Sequence, residues 1–431
     1  MTTPPPRRYD AAALRRFAAA LFEAGGMEAD KAATVAETLV EGDLLGHDTH
    51  GLAQLGPYLD ALASGDMLGR GEPEVVSGTP VAETWDGRKL PGPWLVRRAA
   101  DLASARAAEF GLSAVAVRRS HHIACLAAYL PRVAERGQAL LVFTSDPATA
   151  SVAPWGGTRR LFTPNPVAAG WPSPGGPVML DVSMSITTNA MTARRRAEGA
   201  RFPHPALLDA EGRPADDPNA FFTDPGGTLM PLGGEAAGHK GSALGLMVEA
   251  LTSALAGHGR ADAPTGWGAS VLVLVLDPAR FGGRDAFLRE TGWMERAVHA
   301  NPPVPGGDAP RLPGERGWRR RAEALAATAW GADLCRFVTG GSTQSVHAVF
   351  AAVARPGDTV LIAQNAHKAE WSHAVAAGLD AVPLPVQVDR DFDIETVVAP
   401  ETLDAALAVL PEPSSLPLRA VFVGSGIALN A

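Results

Sequence analysis

The stretch LSAVAVRRSHHIACLAAY, residues 112–129, decides the fold class. Leu112 to Val117 is a short apolar run closed by the polar pair Arg118-Arg119, as a buried strand is. His121 and His122 follow at the C-terminal end of that strand. From Ile123 to Arg136 the pattern predicts a crossover helix, and Ala139 to Thr144 repeats the strand signal. Strand, crossover helix and strand make an α/β unit, and ligand-binding groups collect at the C-terminal ends of such strands. On the residues alone, the histidine doublet reads equally as a surface or structural pair.

Upstream, Asp10 is a candidate N-cap for a helix that carries Leu14, Phe17, Leu21 and Phe22 and stops at Gly25-Gly26. A second helix, about Ala29 to Leu45, carries Val35, Leu39 and Leu44. Downstream, Val178 to Val182 is a strand and Ser242 to Ala256 a helix with Leu244, Met247, Leu251 and Leu255 on one stripe. Val271 to Leu276 is a further strand. Residues 1–320 therefore read as α/β with a helical N-terminal part. Asn301 to Pro313 has the Pro/Gly composition of a linker. Beyond an arginine-rich helix around 318–327, a new α/β rhythm runs from the Phe337-Val338 strand through helix Val346–Ala354 and strand Val360–Ala363 to Val421-Phe422. The boundary falls near residue 325.

Composition removes several classes of function. A chain of 431 residues with 46% hydrophobic and 19% charged residues has the make-up of a globular protein of two or three domains. Its formal net charge of −8 leaves no basic excess to neutralise phosphates, so nucleic acid is not an expected partner. No apolar run is long enough for a membrane span, and Arg15-Arg16 interrupt any signal-peptide core. Cys125 and Cys335 lie too far apart to suggest a disulfide framework or zinc spacing, so no metal set is expected and a reducing cytoplasm is.

The chain contains no G-x-G-x-x-G, so any nicotinamide site must be built without that fingerprint. His47 and His50 flank Asp48 three residues apart, and would share one cleft if the preceding helix continued. A polar helix cap explains them as well. Gly238-His239-Lys240-Gly241 opens the long helix, where backbone N–H groups and an ammonium suit an anion such as a pyrophosphate. Lysine is rare here, with only Lys31, Lys89, Lys240 and Lys368, yet a solvated turn lysine remains an alternative. Asp181 and Ser183, at the end of an apolar strand, offer ribose contacts.

Taken in order, GHDTHG (46–51), VRRSHHIACLAAY (117–129), FTSDP (143–147), TPNPVAAGWP (163–172), VMLDVSMS (178–185), LGGEAAGHKGSALGLMVEAL (232–251) and LPGERGW (312–318) resemble the non-Rossmann malate/L-lactate dehydrogenase family. The resemblance covers residues 1–322. It implies an oxidoreductase that uses NAD or NADP to interconvert 2-hydroxy and 2-oxo acids, as a homodimer. It implies His122 as acid/base, His50 and Thr49 as substrate-orienting groups, and Ser145, Asp181, Ser183, His239, Lys240, Gly314 and Glu315 at the cofactor. Gln54 stands where the family commonly has an arginine for the substrate carboxylate, and Leu45 where another arginine is frequent. A catalytically impaired binding protein of the same fold is the alternative this opens.

Residues 325–431 resemble a different family, the major domain of Orn/Lys/Arg decarboxylases, through FVTGGSTQSVHAVFAAVARPGDTVLIAQNAHKA (337–369). The resemblance implies a partial α/β pyridoxal-phosphate (PLP) transferase-like segment, with Gly340, Gly341, Ser342 and Thr343 as a phosphate cradle and His367 as a ring-stacking residue. Lys368, beside that histidine, does not match the family's Schiff-base lysine, so productive PLP binding is not expected.

Overall fold

In the computed structural model, which describes residues 9–304, 310, 312–313, 356–366, 368–390, 394–395 and 397–408, contacts divide the chain into Met1–Arg316 and Gly317–Ala431. Three helices open the first unit: α1 (Ala11–Ala24), α2 (Ala29–Leu44) and α3 (Leu55–Ser64). Asp10 caps α1 as expected, accepting from the Ala13 N–H at 2.7 Å. Ala18, Phe22, Val35, Leu39 and Tyr58 share one buried cluster. Phe17, assigned by its spacing to the apolar stripe, is exposed, because Ala18 and Phe22 carry the buried face of α1.

The rest of this unit is built on β1 (Glu74–Gly78), β2 (Ala82–Asp86), α4 (Gly92–Phe110), β3 (Leu112–Ser120), α5 (Leu130–Ala134), β4 (Ala139–Ser145), β5 (Val167–Trp171) and β6 (Val178–Val182). After α6 (Asn189–Ala197) come β7 (Leu207–Leu208), β8 (Pro214–Ala215) and β9 (Thr228–Leu229), then α7 (Gly234–Glu249), β10 (Ala269–Leu276) and α8 (Arg284–Ala300). One sheet has the order β1-β2-β3-β10-β4-β5-β6, and a small one the order β8-β7-β9. In the large sheet β2 and β3 run parallel and the other neighbours antiparallel. The run ASVLVLVL of β10 lies between β3 and β4 and is covered on both faces. Val271, Val273 and Val275 join the α4 side with Val115 and Val117, whereas Leu272 joins Ala116, Phe143 and Val248 on the other. A strand buried on both faces has to be continuously apolar, which is why it stood out in the sequence.

Three local expectations need correction. The helix predicted over Ile123–Arg136 is an extended turn, a 3₁₀ turn at Leu126–Tyr129 and the short α5. Ala124 takes a left-handed φ of 57°, and the carboxylate of Asp181 accepts the Ala127 N–H at 3.0 Å, so tertiary bonds replace the early helical ones. Helix α2 does not continue through His47 and His50; it ends at Leu44, Gly46 turns with φ 84°, and Asp48–His50 forms a separate 3₁₀ turn. Finally, the stripe on α7 is not the core face. Leu244 and Met247 on α7 and Leu255 beyond its end are exposed, Leu251 is partly buried against the core, and Gly241, Ser242, Gly245 and Val248 are buried. The helix lies too close to its neighbours for large residues: a Cβ on Gly241 would meet the Leu232 backbone at 2.4 Å.

In the second unit, β11 (Thr359–Ala363) and β12 (Asp380–Leu384) pair in parallel, connected through α9 (Lys368–Ala376), and α10 (Pro400–Ala408) follows. Ile362, Ala374 and Leu379 form its core. The strand read over Val360–Ala363 is present. The expected 337–338 strand, the 340–343 cradle, the 346–354 helix, His367 and the 421–422 strand lie outside the described residues.

Candidate active site

Beyond β3 the two histidines separate. His121 is fully buried and His122 is partly exposed. Their backbone is fixed from below by α4, whose first residue must be glycine: a Cβ on Gly92 would lie 2.4 Å from the carbonyl oxygens of both His121 and His122. Gly92→Ala is therefore expected to lower stability by about 1–3 kcal/mol, read as a fall in the denaturant midpoint at unchanged slope.

The His122 ring stacks on Trp267 with centroids 4.5 Å apart and planes at 26°. On its other neighbour, His50, the centroids are 5.7 Å apart at 29°. Trp267 is itself pinned, its carbonyl accepting from Lys89 Nζ at 2.8 Å and its N–H donating to Asp66 at 3.3 Å. The buried hydroxyl of Tyr58 lies 2.9 Å from His122 Nδ1 and 3.1 Å from the His122 carbonyl oxygen. This arrangement serves both protonation states. When Nδ1 is bare the hydroxyl donates to it, as does the Ala124 N–H at 3.4 Å; when Nδ1 carries a proton it donates to the hydroxyl oxygen, which turns its own proton to the carbonyl, and the long Ala124 contact is given up. Nε2 has no hydrogen-bond partner among the described residues, so its proton is the one available for exchange.

Burial, reinforced by the neighbouring His50 and His121, holds His122 well below the ordinary imidazole pKa. His50 is lowered by burial, with Asp181 opposing and His47 assisting. His121 falls to about 4, mainly through burial, with Asp66 opposing and Lys89 assisting. Burial raises the carboxyl of Asp181, and His47 offsets part of that.

The loop carrying His50 is built from its own polar groups. Thr49 Oγ1 sits 3.0 Å from His50 Nδ1, Gln54 Nε2 donates to the Thr49 carbonyl at 2.7 Å, and Asp43 accepts the Leu52 N–H at 3.0 Å. Gln54, proposed for substrate, thus spends its amide N–H on the loop. Asp48 pairs with Arg194 at 2.7 Å.

On the cofactor side, the Ser183 and Ser185 hydroxyls are 2.7 Å apart in the turn after β6, and the Met184 carbonyl accepts the Leu232 N–H at 2.9 Å. That bond ties the turn after Asp181 to the residues just ahead of α7. A break at Ala237 (φ −137°, ψ 18°) lets α7 restart at Gly238-His239-Lys240. Lys240 is exposed, and His239 meets the edge of Trp155 at 5.5 Å. Thr187 Oγ1 and Asn189 Oδ1, just beyond the turn, are buried without a hydrogen-bond partner among the described residues. Ser145 is buried and donates to Glu249 at 2.8 Å. Gly314 and Glu315 lie outside the described residues.

The fold thus brings His122, His50, Thr49, Gln54 and Asp181 into one linked cluster, and joins Ser183 to the region of Lys240 through backbone bonds. Tyr58 and Trp267 escaped the sequence reading. Tyr58 is one of three tyrosines, a signal that gives no role by itself.

Comparison with known proteins gives the family. Residues 9–329 match the malate/L-lactate dehydrogenase family. The chain belongs to that family. The L-lactate dehydrogenase of Cupriavidus necator is 32% identical over 317 residues, covering 72% of this chain and 90% of the relative. A (2R)-3-sulfolactate dehydrogenase (NADP(+)) of Chromohalobacter salexigens is 33% identical over 72% of this chain and 91% of its own length. Among solved structures, a dehydrogenase from Sinorhizobium meliloti superposes with a TM-score of 0.65 at 29% identity, covering 74% of this chain and 92% of that one. Residues 311–416 match a second family, the Orn/Lys/Arg decarboxylase major domain. Within the malate/L-lactate dehydrogenase part, no helix among the described residues is long and apolar enough to cross a membrane.

Proposed function

We propose that the chain is a nicotinamide-dependent oxidoreductase acting between 2-hydroxy and 2-oxo acids, with His122 as the acid/base. The observation that carries this is the Tyr58–His122 relay, which manages Nδ1 and leaves Nε2 open beside His50. In the reducing direction, imidazolium Nε2–H gives its proton to the carbonyl oxygen as negative charge develops there. In the oxidising direction, bare Nε2 takes the hydroxyl proton while Nδ1–H rests on Tyr58. His50 and Thr49 orient the substrate next to that nitrogen.

NAD or NADP, when bound, supplies or accepts the hydride. Its proposed contacts are Asp181, Ser183, His239 and Lys240, with Gly314 and Glu315 added by resemblance. An exposed ammonium at the restart of α7 fits an anionic group, while the buried Thr187 hydroxyl and the Asn189 amide oxygen, unpartnered among the described residues, offer a donor and an acceptor to neutral polar groups of the cofactor. Ser145 carries the least of this set, its hydroxyl being held by Glu249. The exposed Leu244, Leu246, Met247 and Leu255 support a homodimer in which a second copy covers this face. The proposed compartment is the cytoplasm, from a sequence whose two cysteines, Cys125 and Cys335, lie too far apart to suggest a disulfide framework.

The test is NADH and NADPH oxidation against a panel of 2-oxo acids, with substrate-dependent turnover expected. Tyr58→Phe keeps the ring and removes the relay. It is expected to lower kcat about tenfold, the worth of one buried hydrogen bond, with KM within a few-fold of wild type. One observation favours a second reading, a catalytically impaired binder: Gln54 replaces a cationic clamp and uses its amide on Thr49. Tight NADH binding by fluorescence with no turnover on any oxo acid decides for that reading.

A further inference from the structure

We propose that His47, Cys125 and Asp181 form a binding site for a thiophilic divalent cation of the Zn2+ type. The three come from separate elements: the loop after α2, the turn after β3 and the end of β6. One imidazole nitrogen, the thiol sulfur and one carboxylate oxygen all lie within 4.8 Å of one another. Zinc bonds of about 2.0–2.3 Å to such donors need the ligand atoms somewhat closer than that, within reach of side-chain rotation. A soft sulfur with a nitrogen and an oxygen suits Zn2+ or Co2+ and not Mg2+ or Ca2+. Three protein ligands leave a fourth position open.

The surroundings hold the ligands ready. Asp181 Oδ2 is oriented by the Ala127 N–H at 3.0 Å and lies 4.0 Å from Cys125 Sγ. Cys125 is 2% exposed, and α2 presses on it through a glycine: a Cβ on Gly42 would lie 3.2 Å from Cys125 Cβ. As the sulfur–metal bond forms, the S–H proton leaves to solvent.

The test uses the full chain, stripped with chelator and titrated with Co2+ as a spectroscopic substitute for Zn2+. One Co2+ per chain with a thiolate-to-cobalt charge-transfer band, bleached by Zn2+, is expected. Cys125→Ser should abolish the band, and Cys335→Ser should leave it intact. His47→Ala, a partly exposed position, should weaken binding by at least about tenfold, the loss seen even for outer partners of metal ligands. The proposal falls if wild type shows no thiolate band, if the band survives Cys125→Ser, or if His47→Ala binds with wild-type affinity. None of these readouts depends on turnover; Asp181 is shared with the proposed cofactor contacts, so the titrations are run without nicotinamide and their outcome stands apart from that of the oxidoreductase reading.

Discussion

His122→Asn is expected to lower kcat by about 10²- to 10⁴-fold in both directions, the range for loss of a positioned acid/base. NADH affinity should stay within a few-fold. Asparagine is smaller and polar, so the site can keep a hydrogen bond to Tyr58 while losing Nε2. The pH dependence gives an independent check. Because burial holds His122 well below 6.5, the free enzyme is charged there only in acid. Oxidation of a hydroxy acid, which needs the neutral ring, should hold its kcat/KM from neutrality into mild acid. Reduction, which needs the imidazolium, should gain kcat/KM as pH falls over the same range. Steady-state rates of the variant and wild type across that range decide the matter, and equal rates would remove His122 from the mechanism.

Acid should also unfold this protein through a group that the chemistry does not use. His121 is completely buried, and among the described residues neither ring nitrogen has a hydrogen-bond partner. Asp66 lies 3.9 Å from Nε2, too far to bond it. With a folded-state pKa of about 4 against 6.5 when unfolded, the unfolded chain binds more protons between those values. Stability present above pH 6.5 is therefore lost as pH falls towards 4, by about 3 kcal/mol from this residue alone. The lowered His50 and His122 act in the same direction. Lowered carboxylates such as Asp86 and Glu83 contribute at more acidic pH, as pH falls through and below their usual range. Denaturant titrations at a series of pH values measure the slope. His121→Asn should flatten it whatever it does to absolute stability, and an unchanged slope would refute the assignment.

The parts of this fold that were legible are those decided by local pattern. β10 is apolar throughout because both its faces are covered, and Asp10 announces α1 because a carboxylate at that position bonds the first turn. The Ile123–Arg136 segment misled for the opposite reason. Its residues favour a helix locally, but the Asp181 carboxylate, fifty-four positions beyond Ala127, takes the Ala127 N–H. The stripe on α7 misled because Gly241 and Gly245 let the small face pack, and leucines on the other side were free to face outwards.

By itself the sequence determined the α/β class, the helical N-terminal part, the family and the histidines at the end of β3, all encoded in short-range periodicity and ordered motifs. Only tertiary structure decided which histidine keeps an open nitrogen. That depends on Tyr58, Trp267 and Gly92, which approach from other elements and share no spacing with it. The same holds for His47, Cys125 and Asp181, whose convergence depends on how the loop after α2, the turn after β3 and the end of β6 pack together.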